Sequence, residues 1–507
     1  MTEPVTADPT IAERRGITWV VGLAIWVSFL AVSAWRSPAP SVNEPHYLAR
    51  AKHFWQPEFA PHDFFLNSSE THYVFYLTVG WLTNFASFGT TAWVGRAVAL
   101  ALLAFGWLKL SRSLGLTRWA PLYAAWLFLA MQSVGNFSGE WVVGGVEGKV
   151  FSYGLLFAGM GYWLNARPYR SAVCLGLAVS FHPIVGIWGI ICGGFAELLR
   201  RIGALRNPSP ELIPWSKVFL AVVVVVVCAL PGILPALQTL ADATPKETRQ
   251  GTYIHVFIRL RHHLDPLEFP LSAYLGYGLL LALWLLIRPE TEPSANERWW
   301  TRFVLGSVLV ALVGVALGWG PRPALEMPYF EFRQSLLKFY PFRLVDIVLP
   351  MAVALLAARV GMRWISQSGR RFALFAIVFV YAVFLPSGNR NPSRMEPERL
   401  ESWLATCEWV RENTPTDAVF FTPRSTWAFK WYADRAEYFA YKDIPQDAAN
   451  VVEWFHRKNE KLADVVKKPN RAGVTHVIWE SDEKLSTTPL FQSGRYQVYR
   501  LDDLLSR

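Results

Sequence analysis

Long apolar runs separated by short polar stretches fill the chain from Ile17 to Pro386. They lie at about 17–35, 92–110, 119–135, 149–165, 170–184, 185–199, 217–239, 271–287, 303–319, 338–358 and 372–386. The hydrocarbon core of a bilayer is crossed by about twenty helical residues, so each run predicts a transmembrane helix, the shorter ones borrowing flanking aromatics or tilting less. The stretch Tyr73 to Phe88 is apolar but short. As a span it would put Lys109, Arg112 and Arg118 outside; as an interfacial helix it leaves them inside with the other basic loops, which decides for the second. The pattern therefore predicts an α-helical polytopic membrane protein of about eleven transmembrane helices plus juxtamembrane helices.

Beyond Pro386 the pattern becomes that of an ordinary globular chain. Leu400, Trp403, Leu404, Cys407 and Val410 share one face of a helix predicted over Glu396 to Glu412, which Asn413-Thr414-Pro415 ends. Strands are expected at Ala418 to Thr422, around Tyr438 to Tyr441, at Val474 to Trp479 and at Tyr496 to Tyr499, with a helix from Ala448 to Lys461. The organisation expected is a polar N-terminus (1–16), a membrane module (17–386) with a long first outer loop (36–91), and a small C-terminal α/β soluble domain (387–507). This last part has no nucleophile elbow, metal cluster or glycine-rich phosphate loop, so binding or bracing suits it better than catalysis.

Composition agrees: 52% of residues are hydrophobic and 17% charged, against about a quarter charged in soluble proteins. Trp35, Trp107, Trp119, Trp163, Trp215 and Trp319 sit near run ends, where the headgroup layer favours amphipathic rings. A net charge of +10 would suggest nucleic acid in a soluble protein. Here the surplus gathers in loops, including Arg14/Arg15, Arg167/Arg170, Arg200/Arg201/Arg206, Arg288/Arg298/Arg302 and Arg359/Arg363/Arg370/Arg371, so the bilayer is the partner and no nucleic acid is expected. The first run lacks a small-residue cleavage site and reads as a retained span. The N-terminus then lies in the cytoplasm and the C-terminal domain outside, in a bacterial inner (plasma) membrane. Cys174, Cys192, Cys228 and Cys407 have no metal-ligand spacing.

The same orientation places eight of the ten histidines at or near the outer face, with His456 and His476 in the C-terminal domain. In the first outer loop, Asn43-Glu44-Pro45-His46-Tyr47 opens a helix that Asn43 could cap. Tyr47, Leu48, Ala51, Phe54 and Trp55 share one face and Arg50, Lys52 and His53 the other, as in a helix lying on the membrane surface. Glu44 there either complements the helix dipole or acts chemically at the mouth of the bundle. His62-Asp63 and Glu70-Thr71-His72 add ionisable groups. In the second outer loop, Glu140, Glu147 and Lys149 stand at the start of a span, where charge is costly unless paired or used. His182-Pro183 turns an apolar hairpin. Arg259, Arg261, His262 and His263 lie where the positive-inside rule disfavours cations, and binding a phosphate would explain them. Lys338 and Arg343 open a span, with Asp346 one turn on as a local partner for Arg343.

Together these features resemble the GT-C superfamily of membrane glycosyltransferases, which take sugars from polyprenyl-phosphate donors. Glu44 in Asn-Glu-Pro-His-Tyr matches the acidic position early in the long first outer loop. The interfacial Thr71-His72-Tyr73 helix, the basic ends of the next span and the outer α/β domain match as well. Trp409-Val410-Arg411-Glu412-Asn413-Thr414-Pro415 leading into Ala418 to Pro423 looks like the C-terminal domains of uncharacterised bacterial members. The chain has no Asp-Xaa-Asp, and a divalent metal is the one cofactor this chemistry could recruit. The resemblance implies transfer of a sugar from a polyprenyl-phosphate-linked donor to an acceptor hydroxyl at the outer face. Glu44 or Asp63 would be the catalytic carboxylate. Arg259, Arg261, Lys338 and Arg343 would hold the donor phosphate, and His46, Glu140, Glu147, His182, His262 and His263 the sugar or acceptor. A polytopic transporter, suggested by the Pro231-Gly232 break, and a non-catalytic scaffold whose C-terminal domain binds a partner are the rival readings.

Overall fold

Every apolar run predicted above forms a helix in the computed structural model. It describes residues 11–505 except 70, 135, 207–211, 242, 288–291, 365–367, 425, 484 and 486. The expectations placed on the first ten residues, Glu70 and Arg288 lie outside the described residues. The chain opens with α1 (Ile11–Arg36), and the long loop after it holds α2 (Glu44–Trp55) and α3 (Tyr73–Leu77). Then follow α4 (Phe88–Ser113), α5 (Ala120–Val134), α6 (Gly148–Leu164), α7 (Pro168–Phe181), α8 (Pro183–Arg206) and α9 (Trp215–Ala241). A second irregular stretch carries α10 (Pro245–Tyr253), a π-helical turn (Ile254–Arg259) and α11 (Arg261–Leu264). The helical part ends with α12 (Leu271–Leu286), α13 (Ala295–Gly318), α14 (Phe330–Leu337), α15 (Val345–Trp364) and α16 (Ser368–Phe384).

Among the described residues, six helices are long and apolar enough to cross a bilayer: Thr18–Arg36 of α1, α4, Pro183–Leu205 of α8, Trp215–Thr239 of α9, α13 and Val345–Met362 of α15. Shorter apolar stretches of α5, α12 and α16 stand beside them. The chain is thus a multi-pass membrane protein. Gly106 and Gly154 let α4 and α6 touch backbone to backbone, since a Cβ on Gly106 would strike the Gly154 carbonyl. Small residues are the usual means of close packing where lipid removes the hydrophobic drive between helices.

In the helical elements the structure departs from the sequence expectations at three places. The span expected from residue 338 begins as helix only at Val345, because Lys338 to Leu344 form a turn in which Tyr340 is left-handed (φ 52°). α9 is continuous through Pro231 and Pro235, so the break that suggested transport is absent from the fold. α2 is not a surface helix: Arg50 and His53 are buried, and Arg50 donates to Phe65 O at 2.7 Å and Ser68 Oγ at 2.9 Å.

The C-terminal part contains α17 (Pro397–Asn413), β1 (Val419–Phe421), α18 (Phe429–Ala433), β2 (Ala436–Glu437), α19 (Ala448–Asn459), α20 (Leu462–Val466), β3 (His476–Glu480), β4 (Phe491–Ser493), β5 (Tyr496–Arg500) and α21 (Leu501–Leu505). The sheet order is β2-β1-β3-β5-β4, parallel on both sides of β1 and antiparallel across β3-β5-β4. One face packs Phe420, Ile478 and Val498 under Trp403, Cys407 and Val410 of α17. The other face, with Val419 and Val477, joins the core of the helical part. The strand expected around Tyr438 to Tyr441 is displaced to Ala436–Glu437, and the chain then leaves the sheet as a loop. Asp447 caps α19 by accepting from Asn450 N at 2.9 Å.

Candidate functional site

A cavity of about 750 Å³ opens among α8, α9 and α13. Its length is walled by Ile184, Ile187, Ile191, Leu237, Leu309 and Val313. One end is polar and is lined by Tyr47, His72, His182, His255, Lys338, Tyr340, Arg343 and Gln446. An apolar trough with convergent polar groups at its end suits a ligand with a hydrocarbon tail and a charged head.

The polar end is assembled from distant segments. The turn after α14 brings Lys338, Tyr340 and Arg343 to it, and the left-handed Tyr340 redirects the chain so that all three line the cavity. Such a conformation costs a non-glycine residue roughly 1–3 kcal/mol and is retained where the surroundings or function demand it. The Arg343 guanidinium lies 4.1 Å over the Tyr340 ring. Its Nη1 meets His182 Nε2 at 2.8 Å and its Nε lies 3.3 Å from Glu140 Oε2. Arginine only donates, so His182 Nε2 accepts and the imidazole proton resides on Nδ1. The Val185 amide, 3.4 Å from that Nδ1, then makes no hydrogen bond with it.

His72, at the start of α3, and His255, in the π-helical turn, complete the ring of imidazoles. Burial pushes His72 down to about 3, with His46, Arg50 and Arg343 adding to it. Burial likewise pushes His255 to about 3, helped by Lys338, Arg259 and Arg343. Both are neutral at physiological pH and serve as hydrogen-bonding groups rather than charges. Burial also lowers Lys338, a pull that Asp447 partly offsets.

Behind Arg343 stands a chain of charges. Glu140 lies 3.6 Å from Lys149 Nζ, and Lys149 lies 3.4 Å from Glu147 and 3.9 Å over the Trp141 ring. Glu140 Oε1 and Arg343 Nε are buried without hydrogen bonds. The loop that presents Glu140 is wrapped around Asp346, whose carboxylate accepts from Phe137 N and Ser138 N at 2.8 Å, Ser138 Oγ at 2.9 Å and Glu140 N at 3.3 Å. Asp346 therefore holds the loop and does not pair with Arg343, as the local i,i+3 expectation had it.

The remaining residues singled out from the sequence lie elsewhere. Glu44 is fully buried, grips Arg96 through two contacts of 2.7 Å, and accepts from Ser41 N at 2.7 Å and Val146 N at 2.8 Å. Gly145 allows this closure, because a Cβ there would meet Ser41 and approach the Glu44 carboxyl carbon to 3.1 Å. Asn43 does not cap α2; it donates to Glu147 Oε1 at 2.6 Å. Asp63 is fully buried and accepts from Leu66 N and Glu437 N, each at 3.0 Å. It also joins Glu437 and Asp443 around Lys430 Nζ, at 3.1, 2.7 and 2.9 Å respectively. His46 meets Asp443 Oδ1 at 2.9 Å. Arg259 donates to the carbonyls of Tyr441 (3.1 Å) and Lys442 (3.4 Å). Arg261 is exposed beside Glu268, and the His262 ring lies tilted against that of His263, which contacts Ser138 O.

Of the twelve candidates, then, His182, Lys338 and Arg343 line the cavity, Glu140 and Glu147 belong to the charges behind it, and the others do not reach it. Tyr47, His72, His255, Tyr340 and Gln446 were not singled out as site residues. Two of them carry a signal in the sequence: His72 belongs to the ionisable Glu70-Thr71-His72 group, and His255 stands four residues before Arg259, one helical turn away. Among the described residues no group of three His, Cys, Asp or Glu side chains is arranged to hold a metal ion, and the three carboxylates that converge already enclose Lys430.

Comparison with solved structures assigns the fold. The chain is similar to ArnT from Cupriavidus metallidurans bound to undecaprenyl phosphate, with a TM-score of 0.51 and 12% identity over 97% of this chain and 98% of that one. It shares the fold of that ArnT. The apo state of the same ArnT aligns with a TM-score of 0.43 and 12% identity over 96% and 97%. Residues 401–460, from α17 to the end of α19, match a family described as a domain of unknown function, DUF6798. No curated protein matches.

Proposed function

We propose that the cavity binds a polyprenyl phosphate and that the protein transfers the sugar carried by that lipid to an acceptor hydroxyl. The observation that carries this reading is the cavity itself: an apolar trough between helices ending on Arg343, Lys338 and neutral imidazoles. ArnT, which shares the fold, was solved with undecaprenyl phosphate bound. In the reading, the isoprenoid lies along α8, α9 and α13. Arg343 and Lys338 neutralise the phosphate, and His182 and His255 supply hydrogen bonds.

In the transfer step the acceptor oxygen bonds to the anomeric carbon as the bond from that carbon to the phosphate oxygen breaks. The bonding pair leaves with the lipid phosphate, whose growing charge faces Arg343 and Lys338. The hydroxyl proton passes to a carboxylate, and Glu140 suits that role better than Glu44. Its Oε1 is unengaged and its Oε2 is oriented by Arg343, whereas Glu44 spends both oxygens on Arg96 and backbone amides. The face of the membrane is that expected from the basic loops, with the C-terminal domain outside.

Binding of undecaprenyl phosphate to protein in lipid nanodiscs tests this. Wild type binds saturably, and Arg343→Ala weakens binding about tenfold or more, as loss of a charge-assisted contact does. Glu140→Gln retains binding and loses transfer from a matching donor. Equal binding by wild type and Arg343→Ala would overturn the reading in favour of a scaffold.

A further inference from the structure

A second cavity, of about 590 Å³, opens at the other end of α13. Leu309, Val313 and Leu317 of that helix wall the first cavity, whereas Glu297, Arg298 and Arg302 line the second. Residues 297 and 317 of one α-helix stand about 30 Å apart, the thickness of the apolar core of a bilayer. The two cavities therefore belong to opposite membrane–water boundaries, and the second lies at the level of the headgroups.

Three helices and a loop build it. Trp284 and Leu285 of α12, Leu355 of α15 and Leu116 after α4 supply apolar wall, and Arg298, Arg302 and Arg359 supply charge. The start of α13 is fixed there. Asn296 donates to Ser113 O at 2.9 Å, Ser294 Oγ accepts from Glu297 N at 3.2 Å, and Glu297 Oε2 accepts from Ser294 N at 2.8 Å.

The charges of this cavity do not balance. Glu297 turns its other oxygen to Arg359 and matches it. Among the described residues no carboxylate pairs with Arg298 or Arg302. Arg298 donates to the neutral carbonyl of Pro293. Glu197 of α8, whose field reaches Arg302, is held by Arg200 and Arg201 at 2.9 Å each. Arg298 and Arg302 are one helical turn apart, where like charges repel. The one further acid among the described lining residues, Glu292, is exposed. Three guanidiniums against two carboxylates leave a surplus of one positive charge.

We infer that this cavity binds an anionic phospholipid, with Arg298 and Arg302 on the phosphodiester of its headgroup and the hydrocarbon beside Trp284 and Leu285. A phosphodiester carries a single negative charge, which meets the surplus, and guanidinium forks match its oxygens. A headgroup that also carried an amine would be neutral and leave the surplus standing, so the site selects a lipid without one. Basic pockets between membrane helices are suited to such headgroups. The inference is independent of what the first cavity binds.

Native mass spectrometry of the detergent-purified protein, titrated with phosphatidylglycerol or phosphatidylcholine, tests it. Wild type should bind phosphatidylglycerol about tenfold more tightly than phosphatidylcholine, and Arg298→Gln/Arg302→Gln should erase that preference. Arg298→Lys/Arg302→Lys should keep most of it, which separates loss of charge from loss of fold. Arg343→Ala, altered at the first cavity, should bind phosphatidylglycerol as wild type does. Inorganic phosphate, which has no hydrocarbon part, should not displace the lipid. Equal binding of the two lipids by wild type, or an unchanged preference in the glutamine variant, would overturn the inference. So would loss of the preference in Arg343→Ala, which would move the lipid to the first cavity, or displacement by inorganic phosphate, which would make the ligand a free anion.

Discussion

At the scale of the residue, the buried cluster around Lys430 has a pH dependence that can be worked out. Burial raises Glu437 to about 7, against the pull of Lys430 and with support from Asp443 and Asp63. A carboxyl raised in the folded state stabilises it fully below the ordinary carboxylate range and loses that contribution as pH rises through about 7. Asp443 runs the other way: burial opposes its charge, but Lys430 and His46 hold it far below its usual range. Its contribution is present at neutrality and is lost only in strong acid. In thermal unfolding between about pH 5 and pH 7, wild type should therefore lose stability relative to Glu437→Gln, because the buried neutral His72 and His255 act in the opposite direction but equally in both proteins. A variant with the wild-type slope would show that Glu437 does not titrate there. The residues legible in the sequence were those whose charge conflicts with an apolar setting, such as Arg343, Lys338 and Glu140. The surroundings of Glu44 were not legible, because a carboxylate at a helix start looks the same whether it faces water or an arginine. Its partner Arg96 lies 52 residues on. Nothing local joins His72, His255 and Tyr340, since only the closed fold brings them together.

At the scale of the element, the Glu44–Arg96 pair ties α2 to α4, and both side chains are fully buried. Removing one partner of such a pair strands a buried charge and costs about 3–5 kcal/mol. Glu44→Gln and Arg96→Met should each lower the unfolding temperature sharply, while joint replacement of both by apolar residues of similar volume recovers much of the loss. Single variants as stable as wild type, but inactive in transfer, would instead return Glu44 to a catalytic role. The α4–α6 crossing makes a second test: Gly154→Leu drives a side chain into the Leu102–Leu103 backbone and should abolish a folded, monodisperse protein in detergent. Helices were legible because bilayer solvent demands long apolar runs. The turn from Lys338 to Leu344 was not, because Phe339, Tyr340, Phe342 and Leu344 run on into the apolar pattern of the helix that follows.

At the scale of the whole molecule, the C-terminal sheet is more than an appendage. It shares a core with the helical part, and its β2–α19 loop reaches the polar end of the cavity. Lys430→Ala leaves Asp63, Glu437 and Asp443 facing one another without their shared cation. The expected result is faster proteolytic release of the C-terminal part and weaker lipid-phosphate binding, with the helical part still folded. Binding unaffected by that release would mean the helices alone complete the site. The sequence pattern separated a membrane part from a globular part. It could not show that the second docks onto the first, because contacts such as His46–Asp443 join residues 397 positions apart.

The most direct measurement is a cryo-EM structure of the protein in nanodiscs with undecaprenyl phosphate added. We expect continuous lipid density between α8, α9 and α13, with its phosphate against Arg343 and Lys338. Density for the lipid at another surface, with the cavity empty of it, would contradict the assignment of this cavity as the lipid-phosphate site.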